Sequence, residues 1–267
     1  METNGLVEEQ KAPVPTQGPA IWDLVQKDFQ YRDHVGREKY GTPLQPHNGR
    51  DALTDLYQEL LDACVYTRQV IYERTHPLID TVYVDLDGVL VNFVGGALAA
   101  HGAGIDRLIT GEWYIHKWLG ITAQEFWAPV RGHDFWRNLE WLPDGWDILN
   151  EVMAKVPKNH IWLLSTHSDD EGSCSGKYAW VRKYLPGLRR KLILTPSKAP
   201  MARPGSFLID DCDANVEAFR KAGGEAMLVP RPWNSGHAYS RPGLPARTVA
   251  MKLAQIALRL KEEKVAA

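Results

Sequence analysis

The apolar positions of the chain fall into two textures. From Ile21 to Arg74 their spacing is helical, and the strongest run, from about Arg50 to Glu73, puts Leu53, Leu56, Leu60, Cys64 and Val65 on one face. Asp51, Asp55, Glu59 and Asp62 occupy another face of the same helix, which reads as a solvated face or as a Mg²⁺ site. His76-Pro77 ends it, because proline biases its predecessor away from helical backbone. Beyond that point short β-branched runs alternate with helical stretches. Thr81–Leu86, His160–Leu164, Lys191–Leu194, Ser206–Ile209 and Ala226–Val229 read as strands. Lys177–Tyr184, Asn215–Ala222 and the amphipathic Met251–Lys261 read as helices. Such alternation predicts the α/β class, with a parallel sheet and right-handed crossovers. Residues 1–20, with Pro13, Pro15 and Pro19 among polar neighbours, read as a disordered lead-in. The pattern therefore divides the chain into that lead-in, a helical region at 21–77 and an α/β domain at 78–267.

Composition narrows the partners. The chain has 267 residues, with 31 Lys and Arg against 33 Asp and Glu. It lacks the basic excess of a bulk nucleic-acid binder, so no polymeric nucleic acid is expected. The uncharged run from Gly88 to Ile105 approaches membrane-spanning length, but it carries five glycines, Asn92 and His101. It reads as a strand end, a turn and a buried helix, with no membrane partner. Cys64, Cys174 and Cys212 show no CxxC spacing, and the first residues lack an apolar leader. Together these lead us to expect a reducing, cytoplasmic location. Tryptophan is the unusual component: six of the ten fall between Trp113 and Trp146.

The chemistry gathers at predicted strand ends. Val84-Asp85-Leu86-Asp87-Gly88 places two carboxylates where the first strand stops, and they would point the same way if the strand stayed regular. Leu164-Ser165-Thr166 brings hydroxyls to the same rim, Ile209-Asp210-Asp211 brings two further carboxylates, and Lys198 lies shortly before them. Ligands of open α/β sheets bind outside the carboxyl ends of the strands. An oxygen-rich rim suits Mg²⁺, a carboxylate can attack phosphorus, and a second can serve as general acid and base. Lys198 and Ser165 would hold phosphoryl oxygens as charge shifts. His133, His167 and His237 have no spacing that supports a metal site.

These residues resemble the haloacid dehalogenase (HAD) superfamily of phosphatases, and within it the 5′(3′)-deoxyribonucleotidases of the cytosolic and mitochondrial type. The narrower likeness rests on Asp87-Gly88-Val89-Leu90-Val91-Asn92-Phe93, on Lys177-Tyr178-Ala179-Trp180-Val181, on Leu194-Thr195-Pro196-Ser197-Lys198 and on Leu208-Ile209-Asp210-Asp211. It implies a Rossmann-like parallel sheet with a small helical cap inserted after the first strand, at about 97–145. It implies Asp85 as nucleophile, Asp87 as acid and base, and a Mg²⁺ ion held by Asp85, Asp210, the Asp87 carbonyl and, more remotely, Asp211. The implied substrate is a deoxynucleoside monophosphate, with Phe93 and Thr166 among its contacts. The loop after Thr166 reads His-Ser-Asp-Asp, where the family has Ser-Pro, and the Lys198-to-Asp210 stretch is longer than usual.

The tryptophan-rich segment falls largely within the implied cap. A cap excludes water from a phosphoaspartate step, and its aromatic rings can stack on a base. Trp113 and Trp118 are the first candidates, the others being expected to build a small core. Glu59-x-x-Asp62 is similar to half of the paired acidic motif of MazG-type all-α nucleoside triphosphate pyrophosphohydrolases. That likeness implies either a Mg²⁺ site or, with one half of the motif missing, a relative through which the chain forms homo-oligomers.

Overall fold

The computed structural model describes residues 19–75 and 78–257, and the chain divides into two units between Thr67 and Arg68. The predicted lead-in lies almost wholly outside the described residues. In the first unit, α1 (Ile21–Tyr40) stops at Gly41, whose φ of 68° returns its N–H to the Arg37 carbonyl. The second helix, α2 (Ala52–Thr75), begins in this unit and runs past the division; it is capped by Asp51, which accepts from the Leu53 and Thr54 amides at 3.0 and 3.3 Å. The hydroxyl of Thr54 bonds the same carboxylate, and these bonds hold Asp51 below its usual pKa. Asp55 pairs with Arg50 at 2.8 Å. Two members of the acidic stripe are thus engaged in local structure, and the described residues gather no metal-ligand cluster there. Leu53, Leu56, Leu60, Cys64 and Val65 are exposed.

The second unit is an α/β sandwich. Its sheet contains β1 (Thr81–Val84), β2 (Ile161–Thr166), β3 (Leu192–Thr195), β4 (Ser206–Asp210) and β5 (Glu225–Leu228). The order is β3-β2-β1-β4-β5 and every pairing is parallel. All four β1 residues and all five of β4 are buried, as strands covered on both faces must be. Between β1 and β2 come α3 (Phe93–Ala100), α4 (Ile115–Leu119), α5 (Ala123–Trp127), α6 (His133–Arg137) and α7 (Gly145–Lys155). After them follow α8 (Glu171–Tyr184), α9 (Asp213–Lys221) and α10 (Leu244–Ala257). The predicted last helix begins seven residues earlier than Met251, and its end lies outside the described residues.

Two boundary differences matter for the site. The predicted first strand stops at Val84, because the chain curls there: the Leu90 and Val91 amides both return to the Leu86 carbonyl, and Gly88 takes φ 75°. The helix expected at Lys177 starts at Glu171. Gly172 and Gly176 lower its propensity, yet they let α6 lie against it. A Cβ on Gly176 would come within 2.5 Å of Trp136 Cβ, and one on Gly172 within 2.4 Å of the Gly132 carbonyl carbon.

Three apolar clusters fill this unit, one of them around Tyr83, Leu164, Leu208 and Phe219. Another surrounds Val82, Val84, Leu163, Phe207 and Ile209. A separate one joins Val94, Leu98, Ile115, Trp118, Phe126 and Val130, so the short helices have a core of their own. Among the described residues, no helix is long and apolar enough to cross a membrane.

Candidate active site

The strand order reverses at β1, whose neighbours are β2 on one side and β4 on the other. Such a switch point opens a crevice at the carboxyl ends. Register puts Val84 beside Leu163 and Ile209, so Asp85 leaves the sheet next to Asp210, with its amide on the Ile209 carbonyl at 3.0 Å. Lys198 Nζ lies 2.7 Å from Asp85 Oδ1 and donates to Asp210 Oδ2 at 2.6 Å. It is 1% exposed and sits beneath the cavity rather than in its wall. Asp210 also accepts from the Cys212 amide at 2.8 Å. Asp211 accepts from Trp233 Nε1 at 2.7 Å. Gly88 is required here, since a Cβ would fall 1.9 Å from Asp211 Oδ2.

Oxygens of Asp85, Asp210 and Asp211 lie within 4.8 Å of one another, and all three residues are buried. Burial pushes the Asp85 carboxyl up to about 7; Lys198 pulls it down, while Asp210 and Asp87 push it up. Burial, then Asp210 and Asp85, hold Asp211 well above the usual carboxylate range. Burial works against the charge on Lys198, but Asp210 and Asp85 keep its pKa above the ordinary value. Three carboxylates against one ammonium leave the cluster short of positive charge. An all-oxygen donor set of this kind fits a hard divalent cation, which would relieve that deficit.

A second cation serves the other carboxylate. Lys177, from α8, pairs with Asp87 and donates to Ser165 Oγ at 3.0 Å and to the Thr166 carbonyl at 2.6 Å. It lies 4.8 Å above the Trp136 ring. The sequence offers Lys177 only within the Lys-Tyr-Ala-Trp-Val likeness; its role needs its side chain to reach from α8 to the end of β2, which no local pattern reveals.

Asp85, Asp87, Ser165, Thr166 and Asp211 line a cavity of about 430 Å³, a size suited to a small molecule. Aromatic residues line the same cavity: Phe93, Trp113, Phe126, Trp127, Trp136 and Trp233, of which Trp233 bonds Asp211 and Trp136 lies beside Lys177. Phe93 stacks on Trp136 at 5.4 Å with 8° between the planes. Trp118 corrects the sequence expectation. It is 5% exposed in the cap core, its Nε1 donates to the Glu112 carbonyl, and it does not line the cavity. Trp141 packs on Trp180 at 4.9 Å, away from the site. Tyr114, Phe126, Trp127, Trp136 and Trp233 are the aromatic lining residues that sequence reasoning did not single out. Asp170 at the start of α8 fixes Trp136 by accepting from its Nε1 and from the Gly132 amide. His133 bonds Ser175, and His167 lines the cavity with its Nδ1 3.0 Å from the Ser168 carbonyl.

The sequence model of one family, described as 5′ nucleotidase, deoxy (pyrimidine), cytosolic type C protein (NT5C), matches residues 79–241. The chain belongs to that family. All the site residues named above lie inside the matched span of this nucleotidase, whereas α1 and α2 lie outside it. The chain is therefore a phosphomonoester hydrolase of the 5′-nucleotidase kind. Comparison with the curated proteins finds no match. Among solved structures, a HAD family hydrolase from Deinococcus radiodurans R1 with bound phosphate and sodium is 17% identical, with 69% of this chain and 99% of that one covered at TM-score 0.40. The L-2-haloacid dehalogenase of Xanthobacter autotrophicus is 17% identical, with 71% and 92% covered at TM-score 0.37. A HAD family enzyme from Bacteroides thetaiotaomicron, in complex with magnesium and inorganic phosphate, is 16% identical, with 60% and 99% covered at TM-score 0.32.

Proposed function

We propose that this nucleotidase hydrolyses deoxynucleoside monophosphates through an aspartyl-phosphate, with Mg²⁺ as cofactor. The observation that carries the reading is one cavity lined both by Asp85, Asp87, Ser165 and Thr166 and by Phe93, Trp113, Phe126 and Trp127. The carboxylates and hydroxyls suit a phosphoryl group and the aromatic residues a planar base, whose stacking on an aromatic ring is worth about 1–3 kcal/mol.

In this reading Asp85 attacks phosphorus, the bond to the sugar oxygen breaks, and Asp87 gives that oxygen its proton. Asp87 then takes a proton from water, which attacks the phosphoaspartate and returns Asp85 with release of phosphate. Lys198 holds Asp85 anionic and oriented, and Ser165 and Thr166 steady the phosphoryl oxygens. Lys177 keeps the Asp87 carboxylate beside Ser165. Asp85, Asp210 and Asp211, with the Asp87 carbonyl, would hold the Mg²⁺, which supplies charge neutralisation at the phosphoryl oxygens when bound.

Two further expectations belong to this reading. The exposed Leu53, Leu56 and Leu60 of α2 support pairing of copies through the N-terminal helices, which light scattering of the full chain measures. The free thiols of Cys64, Cys174 and Cys212 support a reducing compartment.

The test is phosphate release from deoxynucleoside monophosphates, ribonucleotides and sugar phosphates, with Mg²⁺ or EDTA. Equal turnover of sugar phosphates and deoxynucleotides refutes the nucleotide assignment. Wild-type turnover by Asp85→Asn refutes the covalent mechanism.

A further inference from the structure

The turn after β5 contains a buried arginine that the chemistry above does not use. Arg231 is 5% exposed, and its guanidinium is divided between two parts of the chain. Nε donates to the Gly88 carbonyl at 2.6 Å and Nη2 to the Val89 carbonyl at 3.1 Å. Nη1 donates to both oxygens of Asp144 at 2.9 and 2.7 Å. Gly88 and Val89 immediately follow Asp87 on the way out to the cap. Asp144 stands where the chain comes back, at the start of α7.

Those two connections are bonded to each other. The Asn92 amide donates to the Glu140 carbonyl, and the Leu142 amide to the Leu90 carbonyl, both at 2.8 Å. Gly145 fits closely against the strap, since a Cβ there would lie 2.5 Å from the Leu90 carbonyl oxygen. The same turn also reaches Asp211. Trp233 Nε1 donates to its side chain, and Asn234 Nδ2 donates to its carbonyl at 2.7 Å. Asn234 Oδ1 in turn accepts from the Arg231 amide at 3.1 Å, so the turn is tied to itself. Trp233 packs in the cap core as well.

We propose that Arg231 is a positioning residue that registers both cap connections on the carboxylate cluster, with Trp233 and Asn234 setting Asp211 from the same turn. Stability alone does not call for this arrangement, because well-packed apolar side chains commonly replace a buried ion pair without loss. A planar fork is required to meet two carbonyls and a carboxylate in fixed directions, which an ammonium does not supply. The proposal rests on the proposed function for its activity and Mg²⁺ readouts, and the amide exchange is independent of it.

Arg231→Lys in the full chain is the test. The expected result is a native circular dichroism spectrum with kcat reduced about tenfold to hundredfold and KM for dUMP within about threefold of wild type. Mg²⁺ affinity, measured by calorimetry without substrate, falls about tenfold, as for other groups that orient metal ligands. Amide exchange at residues 88–92 and 140–145 quickens about tenfold, while exchange in β1 and β4 stays at the wild-type rate. Trp233→Phe removes one bond to Asp211 and lowers Mg²⁺ affinity without speeding exchange at 88–92. If Arg231→Lys does not fold, Asp144→Asn tests the same clasp. Wild-type Mg²⁺ affinity and wild-type exchange in the two connections overturn the proposal, as does a uniform rise in exchange throughout the unit. A wild-type chain that releases phosphate from no substrate overturns the function while the exchange still decides the clasp.

Discussion

Asp85 costs the metal-free protein stability, and the cost can be isolated by replacing it with asparagine. Its carboxyl is pushed up to about 7 in the folded protein, from an ordinary value of 3.8, with burial the largest cause. A group whose folded pKa is raised binds its proton more tightly in the native state. The native state is thus favoured while the proton is on, and stability drains away as pH rises from about 4 to about 7. The gap between the two values corresponds to about 4 kcal/mol, fully lost above pH 7. An asparagine side chain at this position resembles the protonated acid and does not titrate. Urea unfolding in EDTA should therefore give similar stabilities for wild type and Asp85→Asn near pH 4. Near pH 8 the variant should be more stable by about 4 kcal/mol, with the gap opening at about 1.4 kcal/mol per pH unit between. Mg²⁺ at pH 8 should then stabilise the wild type more than the variant. A constant difference across this pH range would refute the account of Asp85 as a buried carboxylate held under strain by its neighbours.

Other perturbations follow from particular contacts. Lys198→Met leaves Asp85 and Asp210 without their shared cation, and thermal or urea unfolding should register a loss of about 3–5 kcal/mol together with loss of phosphate release. Trp127→Ala thins the aromatic lining, so KM for deoxynucleotides should rise by a factor equivalent to about 1–3 kcal/mol, while turnover of p-nitrophenyl phosphate stays near wild type. Gly176→Ala forces a methyl group into Trp136 and should cost about 1–3 kcal/mol in unfolding free energy; a neutral result would mean that α6 is not held against α8.

The parts of this protein legible in its sequence are those written in consecutive residues. The apolar run Thr81–Val84 reveals a buried strand, and Asp85-Leu86-Asp87-Gly88 announces a turn at its end, because strand burial and the φ of glycine leave local signatures. Asp210 is visible for the same reason, at the end of Ser206–Asp210. Lys177 and Arg231 escape because their partners are distant: Arg231 meets Gly88 across 143 residues of sequence, and Lys177 meets Asp87 across 90. Trp118 and Trp127 show a different limit. Nine residues apart in one aromatic segment, they carry the same side chain, and only the turn after α4 sends one into the cap core and the other to the cavity. The early start of α8 is hidden because Gly172 and Gly176 serve a neighbour's backbone rather than their own helix.

The central place of β1 in the sheet has a consequence for synthesis. Both of its neighbours lie far downstream, β2 beyond the whole cap and β4 beyond α8 and β3. As the chain leaves the ribosome, Thr81–Val84 emerges with neither edge covered. Asp85 cannot meet Asp210 until β4 has followed. Nucleotidase chemistry is thus withheld from every nascent chain shorter than β4, and the exposed first strand is the segment that a chaperone would have most reason to shield.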